Sequence, residues 1–136
     1  MFGNGPHASQ CVPFKNANSS FRDIAVAIEL IMEFTAGMAF DTFCEDPRTL
    51  AAVERKLQII SEAAIRLGDE AERRCPGPAW REIRGIGNWL RHQYDRVELP
   101  VIWKTVREDL PALRESVLTA LISDTAQPGE PRSSGL

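Results

Sequence analysis

Residues 46–74 read DPRTLAAVERKLQIISEAAIRLGDEAERR, and this stretch decides the fold. Asp46 can cap a helix, and Pro47 suits the first turn, where its missing N–H has no use. Leu50, Val53, Leu57, Ile60, Ala64 and Leu67 then recur three and four residues apart. That spacing draws one apolar stripe along a long helix, which must pack against other helices. The helix is predicted to end by Arg73-Arg74, whose charges suit the negative end of its dipole. Cys75-Pro76-Gly77-Pro78 then breaks the chain.

Three more helical patterns surround it, and no strand pattern. Ser20 with Asp23 three residues on resembles a capping box, followed by Ile24, Ile28, Ile31 and Phe34, with Gly37 as the stop. Beyond the break, Trp80, Ile83, Gly87, Leu90 and Tyr94 repeat the spacing from about Ala79. A last pattern starts near Leu99-Pro100 and carries Trp103, Val106, Leu110, Leu113 and Val117, with a kink expected before Pro111. Short connections between amphipathic helices predict an all-α, antiparallel four- to five-helix bundle over residues 20–122. Residues 1–19 read as a flexible lead-in, and 123–136, rich in Pro, Gly and Ser, as a disordered tail. A bundle this small leaves apolar surface uncovered, which favours a homodimer.

The bulk numbers fit a single globular domain: 136 residues, 43% hydrophobic and 26% charged. No apolar run has membrane-spanning length, and residues 1–20 lack the pattern of a secretory signal, so a cytoplasmic location is expected. Cys11, Cys44 and Cys75 are odd in number and widely spaced, which implies neither a disulfide framework nor a zinc site. The net charge of -3 argues against broad nucleic-acid binding. It hides an asymmetry. Arg73, Arg74, Arg81, Arg84, Arg91 and Arg96 face only Glu82 and Asp95 in their segment, a local basic patch that could hold a polyanion at one place.

The chemistry has few candidates. There is no phosphate-binding glycine loop and no HExxH motif; Gly85-Ile86-Gly87 lies within a helical pattern and reads as close packing. The histidines are His7, in the lead-in, and His92, beside Arg91 and two residues before Tyr94. A histidine that moves a proton and an arginine that holds developing phosphate charge together suit phosphodiester cleavage, with neither metal nor cofactor required. At about 100° per residue, Arg84, Asn88, Arg91 and Asp95 share one helix face, and His92 borders it. Tyr94 falls on the apolar stripe instead. Either it is core, or the helix ends before it and the ring swings outward.

The run Trp80-Arg81-Glu82-Ile83-Arg84-Gly85-Ile86-Gly87-Asn88-Trp89-Leu90-Arg91-His92-Gln93-Tyr94-Asp95 resembles the signature of the HepT-like family in the HEPN superfamily. Val101-Ile102-Trp103, Asp109-Leu110-Pro111-Ala112-Leu113 and Glu33-Phe34-Thr35-Ala36-Gly37 fit it too. The resemblance implies a dimeric helical bundle and a metal-independent ribonuclease toxin. His92 would be the acid/base, and an RNA 2′-OH would attack the adjacent phosphate. It also implies a nucleotidyltransferase antitoxin of the MntA type that transfers AMP to Tyr94. Asn88, His92 and Tyr94 match the family motif, but Gly87 stands where the family places its arginine. Arg91 or Arg84 would then supply the guanidinium, with Arg91 favoured because it adjoins His92. The alternative is a non-catalytic bundle that docks a nucleotidyltransferase or a nucleotide.

Overall fold

The computed structural model describes residues 17–91 and 98–126. Every regular element among them is helical: α1 (Ala17–Phe34), α2 (Phe40–Cys44), α3 (Pro47–Leu67), α4 (Asp69–Arg74), α5 (Trp80–Arg91), α6 (Leu99–Lys104), a π-helical turn (Thr105–Asp109) and α7 (Leu110–Ala126). None is long and apolar enough to cross a membrane.

α3 starts as its sequence dictates. The Asp46 carboxylate accepts from the Thr49 backbone N–H at 3.1 Å and from the Thr49 hydroxyl at 2.9 Å. These bonds hold the Asp46 carboxyl below the usual carboxylate range. Leu50, Val53, Leu57, Ile60, Ala64 and Leu67 are all buried. α1 packs along α3 and presents Phe21, Ile24, Ile28 and Ile31, each fully buried, to it and to α7. Cross-ties fix the directions. Arg66 meets Asp23 at 3.0 Å between α3 and α1, and Arg114 meets Glu29 at 2.9 Å between α7 and α1. Near the end of the bundle, Arg74 donates to Asn18 Oδ1 and to the Ala120 carbonyl, with its guanidinium over the Phe21 ring.

Four details depart from the sequence expectations. Residues 17–19 are already helical, so Ser20 is a buried residue inside α1 and not its cap. The long second helix stops at Gly68, whose φ of 55° is open to glycine and costly for other residues, and α4 follows as a separate turn up to Arg74. α2 had no periodic signal, being only five residues long. It is held by aromatic packing, with Phe40 and Phe43 against Trp103 at centroid distances of 6.2 and 4.9 Å. The Pro111 irregularity takes the form of a π turn, in which the Leu110 N–H reaches the Thr105 carbonyl five residues back. Proline has no N–H to give the carbonyl four residues before it, and the wider turn is the local answer.

α5 lies on α3, and α7 lies on α1. Between α5 and the α6–α7 arm the bundle stays open, as a cleft of about 740 Å3.

Trp80 anchors α5 to the bundle. It is 1% exposed, donates its indole N–H to the Cys75 carbonyl at 2.7 Å and meets Phe21 edge-on. Trp80→Ala is expected to cost about 3–5 kcal/mol, read as a lower urea midpoint at an unchanged slope.

Candidate functional site

α5 carries the basic face singled out in the sequence, and it runs antiparallel to α3. Two contacts set the register. The Ser61 hydroxyl, on α3, donates to the Arg84 carbonyl at 2.8 Å and accepts from the Gly87 N–H at 3.2 Å. A Cβ added at Gly87 would lie 3.2 Å from Ser61 Oγ and 3.6 Å from Ser61 Cβ. Gly87 therefore lets the two helices approach closely, and any side chain there would meet a hydroxyl that is itself held by hydrogen bonds.

Arg84 is occupied. Its Nε donates to the Ala64 carbonyl at 3.3 Å and an Nη to the Gly68 carbonyl at 2.9 Å. The remaining donors grip Glu72 in a fork, at 3.0 and 2.7 Å. This guanidinium adds a second donor at the C-terminal end of α3, to carbonyls that also accept the Gly68 and Ala71 backbone N–H groups. It also bridges the Gly68 break to α4. The pair lowers the Glu72 carboxyl below its usual range and raises Arg84, chiefly through the side-chain hydrogen bond between them.

Arg91 is placed differently. It is the last described residue of α5, is exposed, and forms no ion pair with another described residue. One Nη lies 3.9 Å from where a Cβ at position 87 would stand. The side chain thus reaches back one turn along the helix, to the edge of the Gly87–Ser61 contact. Asn88 is exposed on the adjoining part of the face. The structure brings Arg91 and position 87 together and turns Arg84 away into the α3–α4 junction. His92 and Tyr94 lie outside the described residues, and so does Cys11. Cys75 is buried, and burial pushes its thiol up. Among the described residues no group of three or more His, Cys, Asp or Glu is arranged to hold a metal ion.

Sequence reasoning missed Ser61 and Glu72. A serine on an apolar stripe, and a glutamate separated from its arginine by a chain break, carry no local signal. It also missed the cleft, for which a signal existed. Ile86 and Trp89 lie off the Trp80-Ile83-Gly87-Leu90 stripe and make a second apolar flank on α5.

Two outcomes test this seam. Gly87→Ala should gain helix propensity but meet Ser61, so its effect on stability should be about 1 kcal/mol more favourable in a Ser61→Ala background than alone, by chemical denaturation of the four proteins. The second concerns acid. The folded-state pKa of Glu72 is lowered, so its contribution is present above the ordinary glutamate range and is lost as pH falls through the folded value. Glu72→Gln should make thermal stability fall less steeply over that acid range than in the unsubstituted chain.

Comparison with known proteins agrees with the resemblance. The ribonuclease HepT-like family matches residues 24–120. A protein named "Probable ribonuclease HepT" from Thermococcus cleftensis is 45% identical over 92 residues, covering 68% of this chain and 84% of that protein. Proteins named "putative RNase" from Caldanaerobacter subterraneus subsp. tengcongensis and Methanocaldococcus jannaschii are 34% and 30% identical, covering 65% and 70% of this chain and 80% and 87% of theirs. No solved structure matches the chain. With a family match across most of its length and relatives of this similarity, the chain belongs to the HepT-like ribonuclease family.

Proposed function

We propose that this protein is the toxin of a HepT/MntA-type toxin–antitoxin pair, an endoribonuclease that works without a metal ion. Membership in the ribonuclease family supports the reaction class, and one observation carries the assignment of roles. The Arg91 guanidinium, uncommitted to any described carboxylate, reaches back toward position 87, where the family motif has its arginine. In this reading His92 takes the proton from an RNA 2′-OH, which attacks the adjacent phosphorus. The P–O bond to the 5′ oxygen of the next nucleotide breaks, that oxygen receives a proton, and a 2′,3′-cyclic phosphate remains. Arg91 holds the charge that develops on the phosphate oxygens. Asn88, one turn before His92, sits where a side-chain amide can help position the backbone. Arg84 is left out of the contact set, because its donors are spent on α3 and Glu72.

The active unit is a homodimer that brings two such motifs to one cleft, and it acts in the cytoplasm. Its inhibitor is a small nucleotidyltransferase that transfers AMP to the Tyr94 hydroxyl. AMP groups beside a phosphate-binding arginine would exclude RNA by bulk and by charge repulsion. Gly87 also favours a second reading, in which cleavage has been lost and the bundle serves to dock the nucleotidyltransferase or a nucleotide.

Expression should arrest growth, and His92→Ala should abolish the arrest. In a purified assay with chelator present, His92→Ala should reduce RNA cleavage by about 10²–10⁴-fold and Arg91→Ala by about 10²–10³-fold. Harmless expression of the unsubstituted chain, with no cleavage of total RNA, would establish the docking reading instead. Co-expression with the nucleotidyltransferase should raise the mass by whole AMP units, and Tyr94→Phe should prevent it. An unchanged mass beside an active transferase and ATP would contradict the modification.

A further inference from the structure

The open side of the bundle has the character of a peptide groove. Ile83, Ile86 and Trp89 of α5 form one wall, and Leu110 and Leu113 of α7 help form the other. The charged residues that line it are Glu82, Glu108 and Asp109, all acidic. Helix geometry places Ile86 and Trp89 roughly 140–160° around α5 from Arg91, so this groove is separate from the proposed RNA-binding face.

The segment that precedes α1 matches the groove in chemistry. Residues 1–16 contain no aspartate or glutamate, and they carry Val12-Pro13-Phe14-Lys15 just before the helix begins. Proline biases the residue before it toward extended backbone. In an extended strand Val12 and Phe14 point to one side, while Lys15 points to the other. Such a strip offers two apolar side chains to a groove and a cation to its acidic rim. The segment also lies outside residues 24–120, the part that the family shares.

The attachment point is close enough. Asn18 at the start of α1 is tied through Arg74 to Ala120 of α7, at 2.8 and 3.2 Å. Ser116, which lines the groove, is one turn from Ala120, about 6 Å along the helix. Gly77, at the same end, approaches Ser116, with 3.9 Å from an added Cβ to Oγ. Val12 and Phe14 precede Ala17 by five and three residues, a reach of about 10–17 Å in extended chain.

We infer that residues 11–15 dock, within the same chain, in the groove between α5 and the α6–α7 arm, with Val12 and Phe14 in the apolar floor and Lys15 toward the acidic rim. This arm closes the fourth side of the bundle and braces the helix that carries Arg91 from behind. The inference goes beyond the nuclease reading and does not depend on it.

Limited trypsin digestion of the intact chain under native conditions tests it, with cleavage after Lys15 followed by mass spectrometry. Two variants release the arm from opposite sides: Phe14→Asp in the arm, and Ala112→Arg at an exposed position lining the groove. Each should raise the cleavage rate by about tenfold or more, while leaving the thermal midpoint of the helical body near that of the unsubstituted chain. Equal rates in all three proteins would overturn the proposal. So would protection that disappears on dilution, which would assign the groove to a second copy.

Discussion

The hydrogen-bonded seam between α3 and α5 is the constraint on which the rest of the structure depends. One buried hydroxyl, Ser61, serves both a carbonyl and an N–H of α5. A buried polar group in a helix interface is costly unless it is paired, so this double use fixes the register as well as the distance. Sliding α5 by one residue would leave the hydroxyl without partners and bring a side chain against Ser61 in place of Gly87. Arg84 secures the same seam one turn away, as a second donor to the Ala64 and Gly68 carbonyls at the end of α3. The glycine at 68 makes that contact available, because it stops α3 where Arg84 can reach.

This arrangement bears on how Gly87 fits the proposed phosphate site. The position faces α3 closely, and a Cβ there would lie 3.2 Å from Ser61 Oγ. Arg91, one turn later and without a described ion-pair partner, places one Nη 3.9 Å from where a Cβ at position 87 would stand. Two arginines with the same sequence credentials thus have opposite employment. Arg84 is neutralised by Glu72 and built into the frame, while Arg91 is exposed on α5. The basic excess of the segment around α5 is therefore smaller in effect than the sequence suggests, since Glu72 offsets Arg84 and Glu70 meets Arg73.

Much of the frame was legible in the sequence, since it rests on local rules. The Asp46 cap with Pro47, the six-residue stripe of α3, the Gly37 stop and the break after Arg74 each follow from a few adjacent residues. What was not legible depends on contacts between distant segments. Gly68 lies in a pattern that continues as helix by spacing alone, and only the backbone shows the break. The roles of Ser61 and Glu72 arise from residues more than ten positions away. For the candidate site, the sequence favoured Arg91 over Arg84 by its place beside His92, but it gave no sign of the carbonyls and the carboxylate that hold Arg84.

In the proposed function Arg91, not Arg84, is the guanidinium that meets a nucleic-acid phosphate. Arginine Nε–H resonances, assigned by substitution and followed while a 2′-O-methyl oligoribonucleotide that cannot be cleaved is added, test it most directly. The account predicts that the Arg91 resonance moves with the oligonucleotide concentration while that of Arg84 stays in place, held by Ala64, Gly68 and Glu72. A shift of Arg84 with Arg91 unmoved would contradict it.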